Sequence, residues 1–315
     1  MRVLFVSSGN SEQGISPVVK SQGESLRKVG VDVEYFTIVG KGFKGYLKNV
    51  LPLKAHIKKN EFDIVHAHYS LSALTATLAC AKPLVVSLMG SDIRLGLIIR
   101  YAVNISSRFF WSALIVKSQD MQNNIGIKNS QIIPNGVDAA LFKPIEKSIA
   151  HERLGWDANK KHILFAANPA RQVKNFPLLE KAYEIIDLPD HTQLHVLENI
   201  PHEEIPIHMN ASDVVVLTSL WEGSPNVVKE AMACNCPVVA TDVGNIAWLF
   251  GNEPGHYLTG FAPEDVADKL KLALDFAENK GRTRGRERIL ELALDSESIA
   301  KRVIDVFNEV LEKTR

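Results

Sequence analysis

The chain has 315 residues, enough for two hydrophobic cores of ordinary domain size. Its 36 Lys and Arg balance 36 Asp and Glu to a formal net charge of +0, so composition gives no electrostatic case for nucleic acid. Three cysteines, Cys80, Cys234 and Cys236, lack the even count and spacing of an extracellular disulfide framework, and a reducing cytoplasm is the expected compartment.

The N-terminal MRVLFVSSGN holds a strand-like run too short for the apolar region of a signal peptide. Strands are expected near Val3–Ser7, Asp32–Phe36, Ile64–His66, Leu84–Leu88, Ala113–Lys117 and Gln131–Ile133, with helical patterns between them. Between the second and third strands, Lys41, Lys44, Lys48, Lys54, Lys58 and Lys59 alternate with Phe43, Tyr46, Leu47, Val50, Leu51 and Leu53. This pattern fits a basic membrane-facing surface or an ordinary solvated helix. The apolar stretch Leu95–Val116 is interrupted by Arg100, Asn104, Ser106, Ser107 and Arg108, which excludes a bilayer span and predicts an amphipathic helix followed by a strand.

After Ile133, PNGVDAALFKP runs into a polar linker. That places a boundary between residues 1–143 and 144–295. A second set of strands follows near His162–Ala166, Gln193–Leu197, Asp213–Leu217, Pro237–Thr241 and His256–Leu258. Each alternating set predicts an α/β unit with a parallel sheet and right-handed crossovers. The last helix, about Ser296–Lys313, carries an apolar stripe of Ile299, Val303, Val306, Phe307, Val310 and Leu311.

The richest segment is Asp213–Gly244, DVVVLTSLWEGSPNVVKEAMACNCPVVATDVG. Two short buried-strand patterns enclose a helix for which Ser224 is the expected N-cap and Pro225 the expected first residue. Free amides near Asn226 and Val227 and the positive end of the helix dipole favour an anion. Glu230 lies four residues, roughly 6 Å, beyond Asn226 on the same face. A carboxylate beside a phosphate suits a ribose diol, and Glu222 on the preceding loop suits a sugar hydroxyl. The alternative is a pair of surface glutamates on an ordinary βα unit.

EGSPNVVKEAMACNCPVVATDVG resembles the E-x7-E region of the retaining nucleotide-sugar glycosyltransferases of family four, which have the two-domain GT-B fold. The resemblance implies two Rossmann-like domains facing a central cleft, with the final helix, 296–315, returning to the first domain. It implies that Glu222 holds the transferred sugar, that Glu230 holds the ribose, and that the backbone from Gly223 through Ser224, Pro225 and Asn226 to Val227 meets the distal phosphate and sugar. IPNGVD at 133–138 matches the family's segment at the end of the first domain.

FAANPARQVKNFPLLEKA, residues 165–182, resembles the segment that carries the family's diphosphate-binding basic pair. Lys174 and Asn175 match it. Arg171 stands three residues before Lys174, whereas the commoner family arginine falls where this chain has Pro169. Near the N-terminus, SSGNSEQGISPVVKSQGESLRKVG has the place of the family's glycine-containing loop. Gly14 there admits close backbone approach to donor phosphates or serves only a flexible turn. In SLMGSD, residues 87–92, Met89 replaces the histidine of many relatives, which removes proton chemistry at that position and makes Asp92 the nearest polar acceptor-side candidate. Trp248 replaces a frequent glutamate, and Asn235 replaces a glycine in a turn where asparagine tolerates the left-handed conformation.

His66 and His68 share a strand face, but two histidines without a third ligand do not make a metal site. They are read as satisfied strand-end side chains, with His68 also placed at the acceptor side. Cys234 and Cys236 are expected to be buried thiols. No D-x-D pair occurs, so no metal and no cofactor is expected, and leaving-group charge falls to Lys174, Arg171 and the helix start.

The expected activity is retaining, metal-independent transfer of a sugar from a nucleoside-diphosphate sugar to a hydroxyl of a glycan, lipid-linked or small acceptor, in cell-surface polysaccharide or glycoconjugate synthesis. Glu222, Lys174 and Arg171 would be the catalytic set. The expected location is cytoplasmic, with peripheral contact to an anionic inner membrane face left open. A GT-B sugar-nucleotide epimerase and a non-catalytic nucleotide-sugar-binding protein are the alternatives. A dinucleotide-dependent dehydrogenase is disfavoured, because Gly9 to Gly14 is not G-x-G-x-x-G.

Overall fold

A computed structural model of the protein describes residues 1–10, 14–90, 92, 96–186 and 191–314. The chain divides into two compact units, residues 1–136 with 296–315, and residues 137–295. The division falls after Gly136, earlier than the expected boundary at 143. The segment 137–143 is tied to the second unit: Val137 N–H donates to the Leu294 carbonyl, and the Arg286 guanidinium donates to the carbonyls of Ala139 and Phe142.

The N-terminal unit is built on a parallel sheet of β1 (Arg2–Ser8), β2 (Asp32–Ile38), β3 (Ile64–His68), β4 (Leu84–Ser87), β5 (Ala113–Val116) and β6 (Gln131–Ile132), in the order β2-β1-β3-β4-β5-β6. Around it lie α1 (Pro17–Lys28), α2 (Gly42–Lys48), α3 (Val50–Lys59), α4 (Ser70–Leu78), α5 (Leu97–Phe109) and α6 (Gln119–Ile125). One face of the sheet, with Leu4, Val6, Val65, Ala67, Leu84, Val86, Leu114 and Val116, is fully apolar and packs with Leu53, Ala73, Ala76 and Trp111. The strands are short and β-branched because both faces are covered.

The second unit has α7 (Lys147–Leu154), β7 (Lys161–Phe165), α8 (Phe176–Ile185), β8 (Thr192–Val196), α9 (Ile205–Ala211), β9 (Val214–Leu217), α10 (Asn226–Ala233), β10 (Val238–Thr241), α11 (Ile246–Phe250), β11 (His256–Thr259), α12 (Pro263–Lys280) and α13 (Gly285–Glu291). Its parallel sheet runs β11-β10-β9-β7-β8. Both sheets are doubly wound, and each reverses strand order once: between β1 and β3 in the first, and between β9 and β7 in the second. Ligands of such sheets bind outside the strand carboxyl ends at these reversals.

The last helix, α14 (Ser296–Thr314), belongs to the N-terminal unit. It buries Ile299, Val303, Val306, Phe307 and Val310, its Phe307 ring meets the His66 ring at 5.5 Å, and Arg302 donates to the Ile132 carbonyl at 2.7 Å. Among the described residues no helix is long and apolar enough to cross a membrane. Cys234 and Cys236 are buried free thiols, and the Cys236 thiol donates to the Ser212 carbonyl. Asn235 between them has φ 56°, the left-handed conformation expected of it.

At the amino end of β7 a histidine cluster closes around Trp156. The His195 ring stacks on Trp156 at 3.6 Å, and His162 Nδ1 lies 2.9 Å from His195 Nε2. Burial, followed by His162 and the other nearby imidazoles, holds His195 at about 4; burial also lowers His162 and takes His66 and His256 to about 3. In the unfolded chain these rings take up protons near their ordinary value of about 6.5. Between pH 6.5 and 4 the unfolded state therefore binds more protons, so stability is complete above pH 6.5 and falls as pH falls through that window. The melting temperature is expected to drop steadily from pH 6.5 to 4.5, and His195→Phe is expected to flatten the slope. An unchanged melting temperature across that range would refute the assignment.

Candidate functional site

The loops after β7 and β9 flank the strand reversal of the second sheet. After β7, Asn168 forms a turn in which its side chain accepts from Ala170 N–H and its carbonyl accepts from Arg171 N–H. A 3₁₀ turn over Gln172–Lys174 follows, and Asn175 adopts φ 50° and ψ 47° to start α8. The loop after β9 is stitched to this turn. Thr218 Oγ1 donates to the carbonyls of Lys174 and Asn175, at 3.0 Å each, and Leu220 N–H donates to the Val173 carbonyl.

That stitching brings Lys174 and Glu222 together. Lys174 Nζ lies 2.6 Å from Glu222 Oε1, and Ser219 Oγ donates to the same oxygen at 2.8 Å. Both partners are mostly buried, with side-chain exposures of 12% and 15%. Ser219 is held in turn by Thr241, whose hydroxyl donates to the Ser219 carbonyl at 2.6 Å.

The next residues differ from expectation. α10 begins at Asn226, Pro225 occupies the cap position, and no side chain caps the helix. Ser224 instead turns its hydroxyl inward, 3.2 Å from Lys229 Nζ and 3.2 Å from Asn245 Nδ2. Lys229 is fully buried, and a buried ammonium draws a hydroxyl more strongly than a helix amide does. Asn226 Oδ1 is buried with no hydrogen-bond partner among the described residues. Gly223, Ser224, Pro225, Asn226 and Val227 thus form one continuous approach to α10.

One turn further along α10, Glu230 accepts from His202 Nε2 at 3.3 Å. That hydrogen bond raises the His202 pKa above its ordinary value, against the opposing effect of burial. Sequence reading gave no sign of His202, which belongs to a 3₁₀ turn before α9; Ser219 and Lys229 were missed as well. Arg171, expected at the same site, is exposed at the turn that carries Lys174.

In the N-terminal unit, Gly14 has φ 74°, a conformation that favours glycine, and a side chain there would meet open space. Its neighbours 11–13 lie outside the described residues. Asp92, the acceptor-side candidate, is engaged by the backbone. It is only 6% exposed, and its carboxylate accepts from Ser70 N–H at 2.6 Å and from Met89 N–H at 2.5 Å, bridging the turns after β3 and β4. His66 is satisfied by Ser87 Oγ at 2.9 Å. His68 departs from the expected satisfied state: it is buried, and neither ring nitrogen has a partner among the described residues. Those residues contain no group of three or more His, Cys, Asp and Glu side chains placed to hold a metal ion.

The loop carrying Glu222 rests on Gly244. This residue has φ 65°, and a Cβ there would fall 2.7 Å from the Glu222 carbonyl oxygen and 2.9 Å from that of Gly223. Gly244→Ala is expected to cost about 1–3 kcal/mol from backbone strain alone and to push the Glu222 loop away from Lys174. Chemical denaturation and crystallography of the variant would check this; an unmoved loop at unchanged stability would refute it.

Comparison with known proteins matches both halves. Residues 6–141 fit the family model described as Glycosyltransferase Family 4, and residues 180–288 fit that described as Glycosyl transferases group 1. The chain is 27% identical over 215 residues to TuaC of Bacillus subtilis, whose name assigns it to teichuronic acid biosynthesis as a glycosyltransferase; the match covers 60% of this chain and 55% of that protein. It is 25% identical over 252 residues to the UDP-Gal:alpha-D-GlcNAc-diphosphoundecaprenol alpha-1,3-galactosyltransferase of Escherichia coli, covering 66% and 65%. The chain thus spans about half the length of TuaC. Among solved structures, a sucrose-phosphate synthase from Thermosynechococcus elongatus superposes with a TM-score of 0.83 at 18% identity over 99% of each chain. Anabaena Alr3699/HepE in complex with UDP superposes at 0.77 and 18% identity, over 98% of this chain and 100% of that one. The chain has the GT-B fold, and each half matches a glycosyltransferase family model.

Proposed function

We propose that the chain is a retaining, metal-independent glycosyltransferase that moves a sugar from a nucleoside-diphosphate sugar to a hydroxyl of a glycan or lipid-linked acceptor in cell-surface polysaccharide or glycoconjugate synthesis. The observation that carries this reading is the Lys174–Glu222 pair, braced by Ser219 and set before the start of α10, with Glu230 one turn further on. A cation, free helix amides and two carboxylates match a diphosphate flanked by a sugar and a ribose. The relatives named for polysaccharide synthesis and for a diphosphoundecaprenol acceptor, and the neighbour solved with UDP, support the same substrate classes.

In this mechanism Glu230 accepts the ribose hydroxyls and Glu222 a sugar hydroxyl. The bond between the anomeric carbon and the diphosphate oxygen breaks as the acceptor oxygen bonds to the same face of that carbon. The acceptor proton passes to the departing phosphate oxygen. Lys174, Arg171 and the first amides of α10 meet the negative charge that develops on the diphosphate, the kind of preorganised stabilisation worth about 10²–10³ in rate per donor. A donor sugar entering the site exchanges the Lys174–Glu222 contact for two separate ones, Lys174 to phosphate and Glu222 to hydroxyl.

Glu230→Ala is expected to raise the donor KM roughly 10- to 100-fold, as for loss of hydrogen bonds to a charged group. Lys174→Met and Glu222→Ala are expected to lower kcat by about 10²-fold or more. Steady-state release of nucleoside diphosphate, dependent on acceptor and insensitive to chelator, is the assay, and NMR of the product linkage tests retention. Isomerised donor without acceptor would point to an epimerase, and wild-type turnover by these variants would sink the residue assignments.

The N-terminal unit also offers a surface for peripheral contact with an anionic membrane. Phe43 is 60% and Leu51 75% exposed on α2 and α3, beside exposed Lys41, Lys44, Lys48, Lys58 and Lys59. On α5, Ile98, Tyr101 and Phe109 are 85%, 71% and 72% exposed alongside Arg100 and Arg108. All three helices pack on α4. Apolar side chains among cations match an anionic lipid interface. Co-sedimentation with anionic but not neutral liposomes is expected, weakened by Phe43→Ser with Leu51→Ser; absence of co-sedimentation at moderate salt would end the proposal.

A further inference from the structure

The N-terminal sheet holds a second polar centre that the donor chemistry does not use. Its strand reversal lies between β1 and β3. Phe5 pairs with His66 in register, so Ser7 and His68, two residues on, stand side by side on one face across that reversal. His68 pairs with Ser87, and Ser87 with Ile115. Lys117 follows Ile115 by two residues, just past the carboxyl end of β5. The opposite face of these strands is the apolar core, so the polar residues are segregated on one side.

Several of these groups are buried without partners. Lys117 is 1% exposed and its Nζ has no hydrogen-bond partner among the described residues; the same holds for both ring nitrogens of His68 and for Ser7 Oγ. Asp92, the carboxylate that acts on Lys117, already accepts from the amides of Ser70 and Met89. The charge field at Lys117 also reaches both His66 and His68. Burial lowers the Lys117 amine to about 7 and keeps both imidazoles neutral at pH 7. Buried polar groups are ordinarily hydrogen-bonded, and a donor-rich cluster whose carboxylate partner among the described residues is committed to backbone amides calls for a further acceptor.

We infer that Lys117, His68 and Ser7 form a subsite for an oxyanion, a phosphate or carboxylate group, held by the Lys117 ammonium and hydrogen-bonded by His68 and Ser7. Among the described residues the donors of Lys117, His68 and Ser7 exceed their free acceptors, which selects an acceptor-rich anion over a neutral hydroxyl ligand. Its position at a strand reversal is where open α/β sheets bind ligands. That the oxyanion is carried by the glycosyl acceptor rests on the transferase reading; oxyanion binding by these residues does not.

The test is calorimetric titration of the full chain with inorganic phosphate and pyrophosphate, comparing wild type, Lys117→Met and Lys174→Met. Lys117→Met is expected to weaken one binding event roughly tenfold or more and to leave the Lys174-dependent event and nucleotide-sugar binding unchanged. Because Lys117 becomes fully protonated when the site fills, binding at pH 7.5 is expected to take up protons, read from two buffers of different ionisation enthalpy, and the variant is expected to lose that uptake. Ser7→Ala, expected to weaken the same event, keeps the test open if Lys117→Met does not fold. A soluble sugar phosphate and vesicles with and without phosphatidic acid then distinguish a free phosphate from a lipid headgroup, according to which shows the Lys117-dependent binding. Phosphate binding and proton uptake identical in wild type, Lys117→Met and Ser7→Ala would overturn the inference, whatever the fate of the transferase reading.

Discussion

The ion pair between Lys174 and Glu222 joins two connecting segments, each at the carboxyl end of one of two neighbouring strands. A pair buried to this degree loses much hydration, and such pairs gain little net stability unless further hydrogen bonds complete them. Here Ser219 completes Glu222, Thr241 completes Ser219, and Thr218 binds the backbone on either side of the bond from Lys174 to Asn175. The pair is therefore the visible end of a network that sets the positions of both loops. The close approach of Gly244 to the Glu222 carbonyl gives that network its floor.

Such an arrangement suits a site that must exchange partners. Lys174 and Glu222 satisfy one another, so neither charge is left uncompensated in a low-dielectric position. Glu230 is treated likewise, with His202 as its partner. Under the proposed function, a ligand carrying phosphate and hydroxyls would replace each internal contact with one of similar strength, so that occupancy would be a substitution that creates no new buried charge. The N-terminal cluster contrasts with this. Lys117 Nζ, both His68 ring nitrogens and Ser7 Oγ have no hydrogen-bond partner among the described residues.

Much of the fold was legible in the chain. The β-branched runs ending at Ser7, Leu88, Leu217 and Thr241 announced parallel strands, since strands covered on both faces need continuous apolar character. The stripe from Ile299 to Val310 announced a helix with one buried face. Glu222, Lys174 and Glu230 were recognisable as a polar grouping. Their actual partners were not: His202 and Thr241 lie far from them in sequence and come close only through the fold, and Ser219, three residues before Glu222, carries no pattern of its own. The same applies to Ser224, where a local rule predicted a helix cap but a buried Lys229 five residues on drew the hydroxyl away.

The sequence alone determined the α/β alternation and the two parallel sheets, because these follow from periodicity and short-range spacing. Tertiary structure decided which charges are paired and which are left waiting. Asp92 reads as an available carboxylate in sequence, yet folding spends it on two backbone amides. Lys117 reads as the last residue of a strand, yet it is buried with its amine lacking a hydrogen-bond partner among the described residues. Pairing and desolvation depend on distances between strands far apart in the chain, and no local pattern encodes those distances.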